Sequence, residues 1–224
     1  MAEVWTLCSS KGGCGKSTLA AVLMSEIARL GEAVIIIDTD SNAPFVRFAE
    51  VGNLPPNVTV IEDKDTTGKD LAKTVKSLRD EGGFVLIDTE GSENMRTGIA
   101  VQLADLAIIP CQWSKLDEVE ALKLLEFVEV VNEGREKQVP AIVVPTNVDA
   151  AIATNLSKRI KANIQQSGGQ IVDPPLLRKE IFKLMFEQGR LLHDTDYEAK
   201  PSSLEAAREN AESVCLAIAR HRSE

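Results

Sequence analysis

The chain has 224 residues, 44% of them hydrophobic, and a net charge of −9. That size and balance suit a single α/β domain with a substantial core, and two domains would be cramped. No run approaches the roughly 20 apolar residues that span a bilayer, and nothing at the N-terminus has the form of a signal peptide, so a soluble cytoplasmic protein is expected.

Taken in order, the chain opens with a buried strand, Val4 to Cys8. A glycine-rich loop, Lys11-Gly12-Gly13-Cys14-Gly15-Lys16-Ser17-Thr18, follows it. Leu19, Val22, Leu23, Ile27 and Leu30 then recur at helical spacing, which predicts a helix from Leu19 to Leu30. A loop without side chains at Gly12, Gly13 and Gly15 lets backbone N–H groups converge on phosphate oxygens. The positive end of the helix dipole adds to the same place. Lys16 would reach the β and γ phosphates of a bound triphosphate, and the Ser17 hydroxyl would take a position on Mg²⁺.

The next strand, Ala33 to Ile37, ends in Asp38-Thr39-Asp40, a pair of carboxylates at the carboxyl end of a strand, where α/β proteins bind ligands. The alternative reading is a helix N-cap. A strand from Val58 to Ile61, a helix from Gly68 to Arg79 and a strand from Phe84 to Ile87 come next. The last of these feeds Asp88, which would hold Mg²⁺ through a water. Beyond it lie Thr89-Glu90-Gly91, a helix from Met95 to Leu103, a strand from Leu106 to Ile109 and a helix from Asp117 to Asn132.

The strand Ala141 to Val144 leads into Pro145-Thr146-Asn147-Val148-Asp149. Helices are then expected from Ala150 to Gln166, from Leu176 to Gln188 and from Ser203 to Arg220, with a short seventh strand near Ile171. Strand and helix signals alternate throughout, the pattern of a mostly parallel twisted sheet with helices on both faces.

Four cysteines, Cys8, Cys14, Cys111 and Cys215, form no C-x-x-C pair and show no zinc or disulfide spacing. Cys14 reads as a small spacer within the loop, with a redox-sensitive thiol beside the helix N-terminus as the alternative. From Lys158 to Arg190 the chain carries seven basic residues against three acidic ones, the only basic stretch of any length.

The deviant loop K-G-G-x-G-K-[ST], followed by the paired carboxylates and the strand ending in Asp88, resembles the ParA/MinD family of deviant Walker ATPases, most closely its small partition members. The resemblance runs from residue 3 to about residue 190. It implies a P-loop NTPase fold, ATP and Mg²⁺ as cofactors, and slow ATP hydrolysis within an ATP-dependent homodimer. Lys11 would then reach the partner's ATP; a solvated loop lysine is the blander alternative. Asp40 would position the attacking water. Asp38 would belong to the Mg²⁺ shell or orient its neighbours, and Asn147 would meet the adenine edge, with a plain turn residue as the alternative. Asp173-Pro174-Pro175-Leu176 resembles the segment that closes over the base.

This chain departs from the family pattern after Asp40, where Ser41-Asn42-Ala43-Pro44 replaces Pro-Gln, and after Asp88, where Thr89-Glu90-Gly91 replaces Thr-Pro-Pro. Gly91 would give a switch loop its backbone freedom. With the loop starting at residue 11, the N-terminal DNA-reading domain of larger partition ATPases is not expected.

The implied function is ATP-dependent positioning of DNA or another cargo on a surface, with release stimulated by an adaptor protein. A MinD-like membrane ATPase is the alternative, and it would need an amphipathic C-terminal helix with basic flanks. The acidic residues of the tail point to packing on the domain. An iron–sulfur reductase would need shared cysteines that are lacking. Non-specific DNA is the expected surface. Lys158, Arg159, Lys161, Lys179 and Lys183 would be presented twice by a two-fold dimer, against the reading that they are only a solvated face.

Overall fold

The computed structural model describes residues 1–91, 94–149, 155–195, 197 and 199–221. Its elements run β1 (Glu3–Leu7), α1 (Lys16–Arg29), β2 (Val34–Asp38), α2 (Pro44–Val51), β3 (Val58–Glu62), α3 (Lys69–Leu78), β4 (Phe84–Asp88) and α4 (Met95–Leu103). They continue β5 (Leu106–Cys111), α5 (Lys115–Asn132), β6 (Ala141–Pro145), α6 (Asn155–Gln166), β7 (Gln170–Ile171), α7 (Glu180–Gln188) and α8 (Pro201–His221). The strands form one parallel sheet in the order β3-β2-β4-β1-β5-β6-β7. The expected fold is therefore present.

Strand residues alternate between the two faces, as the pleat requires. Trp5 and Leu7 enter a core built with α1, α2, α7 and α8, whereas Val4 packs with Leu71 and Val75 of α3, and Cys8 with Leu124 and Val128 of α5. Helices thus cover both faces, which is why the strands are apolar on both. The apolar side of α8 (Ala207, Ala211, Val214, Ala217, Ile218) enters the same core as α1, as its acidic outer face suggested. Among the described residues no helix is long and apolar enough to cross a membrane.

Two departures from the sequence reading concern local structure. Helix α2 has no counterpart in it. Pro44 starts this helix at the first turn, where a missing N–H costs nothing, and Phe45 and Phe48 are buried beneath it. Residues 176–178, expected to be helical, are extended: Val148 and Leu177 form a parallel bridge, so tertiary pairing overrides an apolar run. The expected start of the sixth helix at Ala150 lies outside the described residues.

α2 and α7 meet at two glycines. A Cβ on Gly52 would fall 1.8 Å from the Gly189 carbonyl oxygen, and one on Gly189 would fall 2.3 Å from the Gly52 nitrogen. Phe186 of α7 stands edge-on to Phe45 and Phe48 of α2, with ring centroids 5.6 and 5.5 Å away, closing the contact.

Candidate nucleotide site

The sheet register sets the site. Leu7 pairs with Asp88, and Asp38 pairs with Asp88 from the other side, so three strands end level with one another where the glycine loop begins. The chain moves from β1 toward β2 and β3, then after β4 crosses to β5. This reversal opens a crevice at the carboxyl ends of the strands.

Gly13 and Gly15 adopt φ of 82° and 94°, left-handed values that disfavour a Cβ, and Gly15 caps α1. Gly12 has nothing within 4 Å of a would-be Cβ and leaves the loop's surface open. Cys14 is buried, and its carbonyl accepts from Thr146 Oγ1 at 2.5 Å. Gln112 Nε2 donates to the Gly13 carbonyl at 2.7 Å. The loop is therefore fastened from β5 and β6. Burial pushes the neighbouring thiols of Cys8 and Cys111 up to about 12, so both are protonated at neutral pH.

Lys16 Nζ donates to Asp88 Oδ1 at 2.6 Å, and Ser17 Oγ donates to Asp88 Oδ2 at 2.8 Å. Asp88 is fully buried. Burial raises it above the ordinary carboxylate range in spite of these two donors. Thr18 follows on α1 at the edge of an adjoining cavity.

Asp38 reaches the backbone of the loop that follows it. Its Oδ1 accepts from the Asp40 amide at 3.1 Å and its Oδ2 from the Phe45 amide at 2.8 Å, so both oxygens hold the carboxylate loop and the start of α2. Each oxygen keeps a further lone pair, so this geometry is compatible with the Mg²⁺ shell, with the orienting role and with the helix-capping alternative. Asp40 is half-buried, and its charge bears on Asp88; its Oδ1 accepts from the Asn42 amide at 2.8 Å. Ala43, before the displaced proline, is left-handed at φ 45°, a strained value for a non-glycine residue.

Lys11 forms an ion pair with Asp117 at 2.7 Å, while Ser114 caps α5 by accepting from the Asp117 amide at 3.1 Å. Sequence reasoning missed this partner, although the Ser114-x-x-Asp117 spacing is that of a capping box. Arg96 was missed as well. It is buried and donates to the Thr39 carbonyl and, at 3.2 Å, to the Asp63 and Asp65 carbonyls, supporting the carboxylate loop from α4. Glu90 accepts from Ser41 Oγ at 3.0 Å and links that loop to the segment after β4.

Gly91 does not occupy a left-handed conformation. A Cβ there would lie 2.8 Å from the Lys11 carbonyl carbon, so close approach to the phosphate loop, and not backbone freedom, requires glycine.

Asn147 and Thr18 share a cavity of about 200 Å³ with Gly13 and Gly15. The predicted basic segment divides around residues 173–177. Lys179 and Lys183 line the same cavity, while Lys158 and Lys161 line a separate groove beside Trp113. Arg159 is exposed on α6. Lys161 stands 3.8 Å from Asp173, and Lys183 stands 3.1 Å from Glu180.

The donor set fits Mg²⁺. Ser17 Oγ and the Asp88 carboxylate are hard oxygen donors in contact at the mouth of an open glycine cradle. Among the described residues no cluster of three or more His, Cys, Asp or Glu could hold a metal ion, so a cation here would need nucleotide oxygens to complete its shell.

The family model described as VirC1 protein matches residues 2–220. Protein ParA of Rhizobium radiobacter is 34% identical over 215 residues, covering 96% of this chain and 95% of that protein. An ATP complex of a Cyanothece McdA variant shares the fold with a TM-score of 0.72 at 16% identity, over 97% of this chain and 96% of that one. The structure of pNOB8 ParA bound to nonspecific DNA superposes with a TM-score of 0.63 at 15% identity, over 98% and 99% of the two chains.

Proposed function

Because the chain belongs to the VirC1 family, within the ParA/MinD group of deviant Walker ATPases, we propose that it is a Mg²⁺-dependent ATPase that dimerises on ATP and positions DNA or another cargo. The convergence of Lys16 and Ser17 on Asp88 carries this reading. It brings the loop lysine, the hydroxyl and the strand-end acid to one point. Residues 1–224 are read as one ATPase domain, since all seven strands share a sheet.

Lys16 exchanges the Asp88 carboxylate for terminal phosphate oxygens, a charge-assisted contact of the same kind. Ser17 and Asp88 would hold Mg²⁺, which would supply positive charge against that of the bound phosphates. Asp40, on its short loop, orients the attacking water. Lys11, itself partly exposed, leaves the buried Asp117 to meet the partner's nucleotide, exchanging one charge-assisted contact for another.

Non-specific DNA is the favoured surface, in keeping with the DNA-bound pNOB8 ParA of the same fold. Lys158, Arg159, Lys161, Lys179 and Lys183 would supply the phosphate contacts, doubled in the dimer. The apolar face of α8 is occupied by the core, which counts against a MinD-like bilayer contact. Such a protein would work in the cytoplasm on the nucleoid, with an adaptor protein stimulating release.

One experiment tests the reading: light scattering and co-sedimentation with non-specific DNA, with and without Mg-ATP, for wild type and Lys16→Ala. The expected result is an ATP-dependent dimer retained on DNA at low salt, and neither property in the variant. An ATP-bound dimer that ignores DNA would move the cargo surface elsewhere. Unchanged nucleotide affinity in Lys16→Ala would refute the loop assignment.

A further inference from the structure

The chain departs from the deviant Walker pattern in two places, from Ser41 to Pro44 after the carboxylate pair and at Glu90-Gly91 after the strand-end acid. The two departures touch. Glu90, half-buried, accepts from Ser41 Oγ at 3.0 Å. Ser41 is the residue after Asp40, so a carboxylate from one replacement grips the first residue of the other.

The backbone beneath Glu90 is fixed on both sides. Before it, Thr89 donates its amide at 3.2 Å and its hydroxyl at 2.9 Å to the Leu7 carbonyl of β1. After it, Gly91 lies against the Lys11–Gly12 backbone, too close for a Cβ. The carboxylate therefore reaches out from a segment set by the sheet and the phosphate loop.

The turn that it holds is strained. Ala43 sits at φ 45°, a value that a residue with a Cβ keeps only where its surroundings fix it. Asp38 holds the Asp40 amide and Arg96 the Thr39 carbonyl, both ahead of the Asp40 carboxylate. Beyond it, Asp40 Oδ1 accepts from the Asn42 amide at 2.8 Å and from Asn42 Nδ2 at 3.0 Å, which are contacts within the turn itself. Among the described residues, no hydrogen bond other than that to Glu90 joins Ser41 or Asn42 to a neighbouring element.

We propose that Glu90 is a positioning residue for hydrolysis: through Ser41 it holds the strained turn, keeps the Asp40 carboxylate aimed at the attacking water, and fixes that aim relative to the phosphate loop. The inference rests on the ATPase reading and on Asp40 as the water-orienting group. The role needs an acceptor and not a charge. Gln keeps an oxygen for the Ser41 hydroxyl, whereas Ala leaves none. A slight misplacement of an orienting group lowers the rate far more than the affinity.

The test is steady-state Mg-ATP turnover, with ATP affinity measured separately by calorimetric titration. It compares wild type, Glu90→Ala, Glu90→Gln, Ser41→Ala, the Glu90→Ala/Ser41→Ala double variant and Asp40→Ala. Glu90 is half-buried and Ser41 exposed, so truncation leaves the core intact. Glu90→Ala and Ser41→Ala should each lower kcat about tenfold with affinity within about threefold, and the double variant should fall no further. Glu90→Gln should stay within about threefold of wild type in both.

Wild-type turnover in Glu90→Ala, or losses that multiply in the double variant, would overturn the proposal. Equal losses in Glu90→Gln and Glu90→Ala would overturn it as well, because the charge of Glu90 and not its tie to Ser41 would then act. If Asp40→Ala hydrolyses ATP like wild type, the water-orienting reading falls and this inference with it; if Asp40→Ala is inactive while Glu90→Ala is unimpaired, this inference alone is removed.

Discussion

Replacing Asp38 with Asn converts the carboxyl at the end of β2 into a probe of buried charge. The side chain is 1% exposed. Burial pushes its pKa from the ordinary 3.8 to about 6, and the Asp88 charge adds to that against the downward pull of the Phe45, Asp40 and Val46 amides. A carboxyl with a raised folded value binds its proton more tightly in the folded state than in the unfolded one. Its contribution to stability is therefore full below about pH 4 and is lost as pH rises to about 6. A shift of about two units corresponds to about 3 kcal/mol at most.

Asn has no proton to lose. It keeps an oxygen for the Phe45 amide and gives up the acceptor for the Asp40 amide, at a cost of about 1 kcal/mol. Asp38→Asn should thus be about 1 kcal/mol less stable than wild type at pH 4 and about 2 kcal/mol more stable at pH 7.5. Urea titrations across that range, with m unchanged, measure the difference directly. A difference that stays constant with pH would show that Asp38 ionises as easily in the folded chain as in the unfolded one, and would refute the reasoning.

Gly91→Ala should weaken ATP binding by about tenfold or more while shifting thermal unfolding by only a few degrees, because the new methyl presses on the Lys11–Gly12 backbone and not on the core; calorimetric titration that finds wild-type affinity would remove that contact from the argument. Asp40→Ala should retain ATP affinity within about threefold and lose nearly all turnover, since a water-orienting carboxylate acts on the chemical step; turnover that falls only in step with affinity would make Asp40 a loop-shaping residue.

The phosphate loop was legible because its information is local: eleven consecutive residues hold the glycines, both lysines and the hydroxyls. The strands were legible because burial on both faces leaves no polar alternation to confuse with a helix. Helix α2 was hidden because eight residues starting at a proline offer too few turns for a periodic signal. Lys11 and Asp117 are distant in sequence, and Asn147 and Arg178 are brought together only by the pairing of Val148 with Leu177. Such partners are set by sheet order, which no local window contains. The basic segment divides for the same reason: residues near in the chain line different hollows, Lys158 and Lys161 one and Lys179 and Lys183 another.

The glycine-to-glycine junction of α2 and α7 has a mechanical meaning. α2 hangs from the carboxylate loop at Asp38, and α7 continues from the wall of the cavity beside the glycine loop at Lys179, so backbone riveted to backbone joins the two ends of the site. With no side chain between them to act as a compliant spacer, the two helices move as one arm. Spectroscopic reporters placed on the Ser41 loop and beside Phe182 would then relax with a single shared time constant.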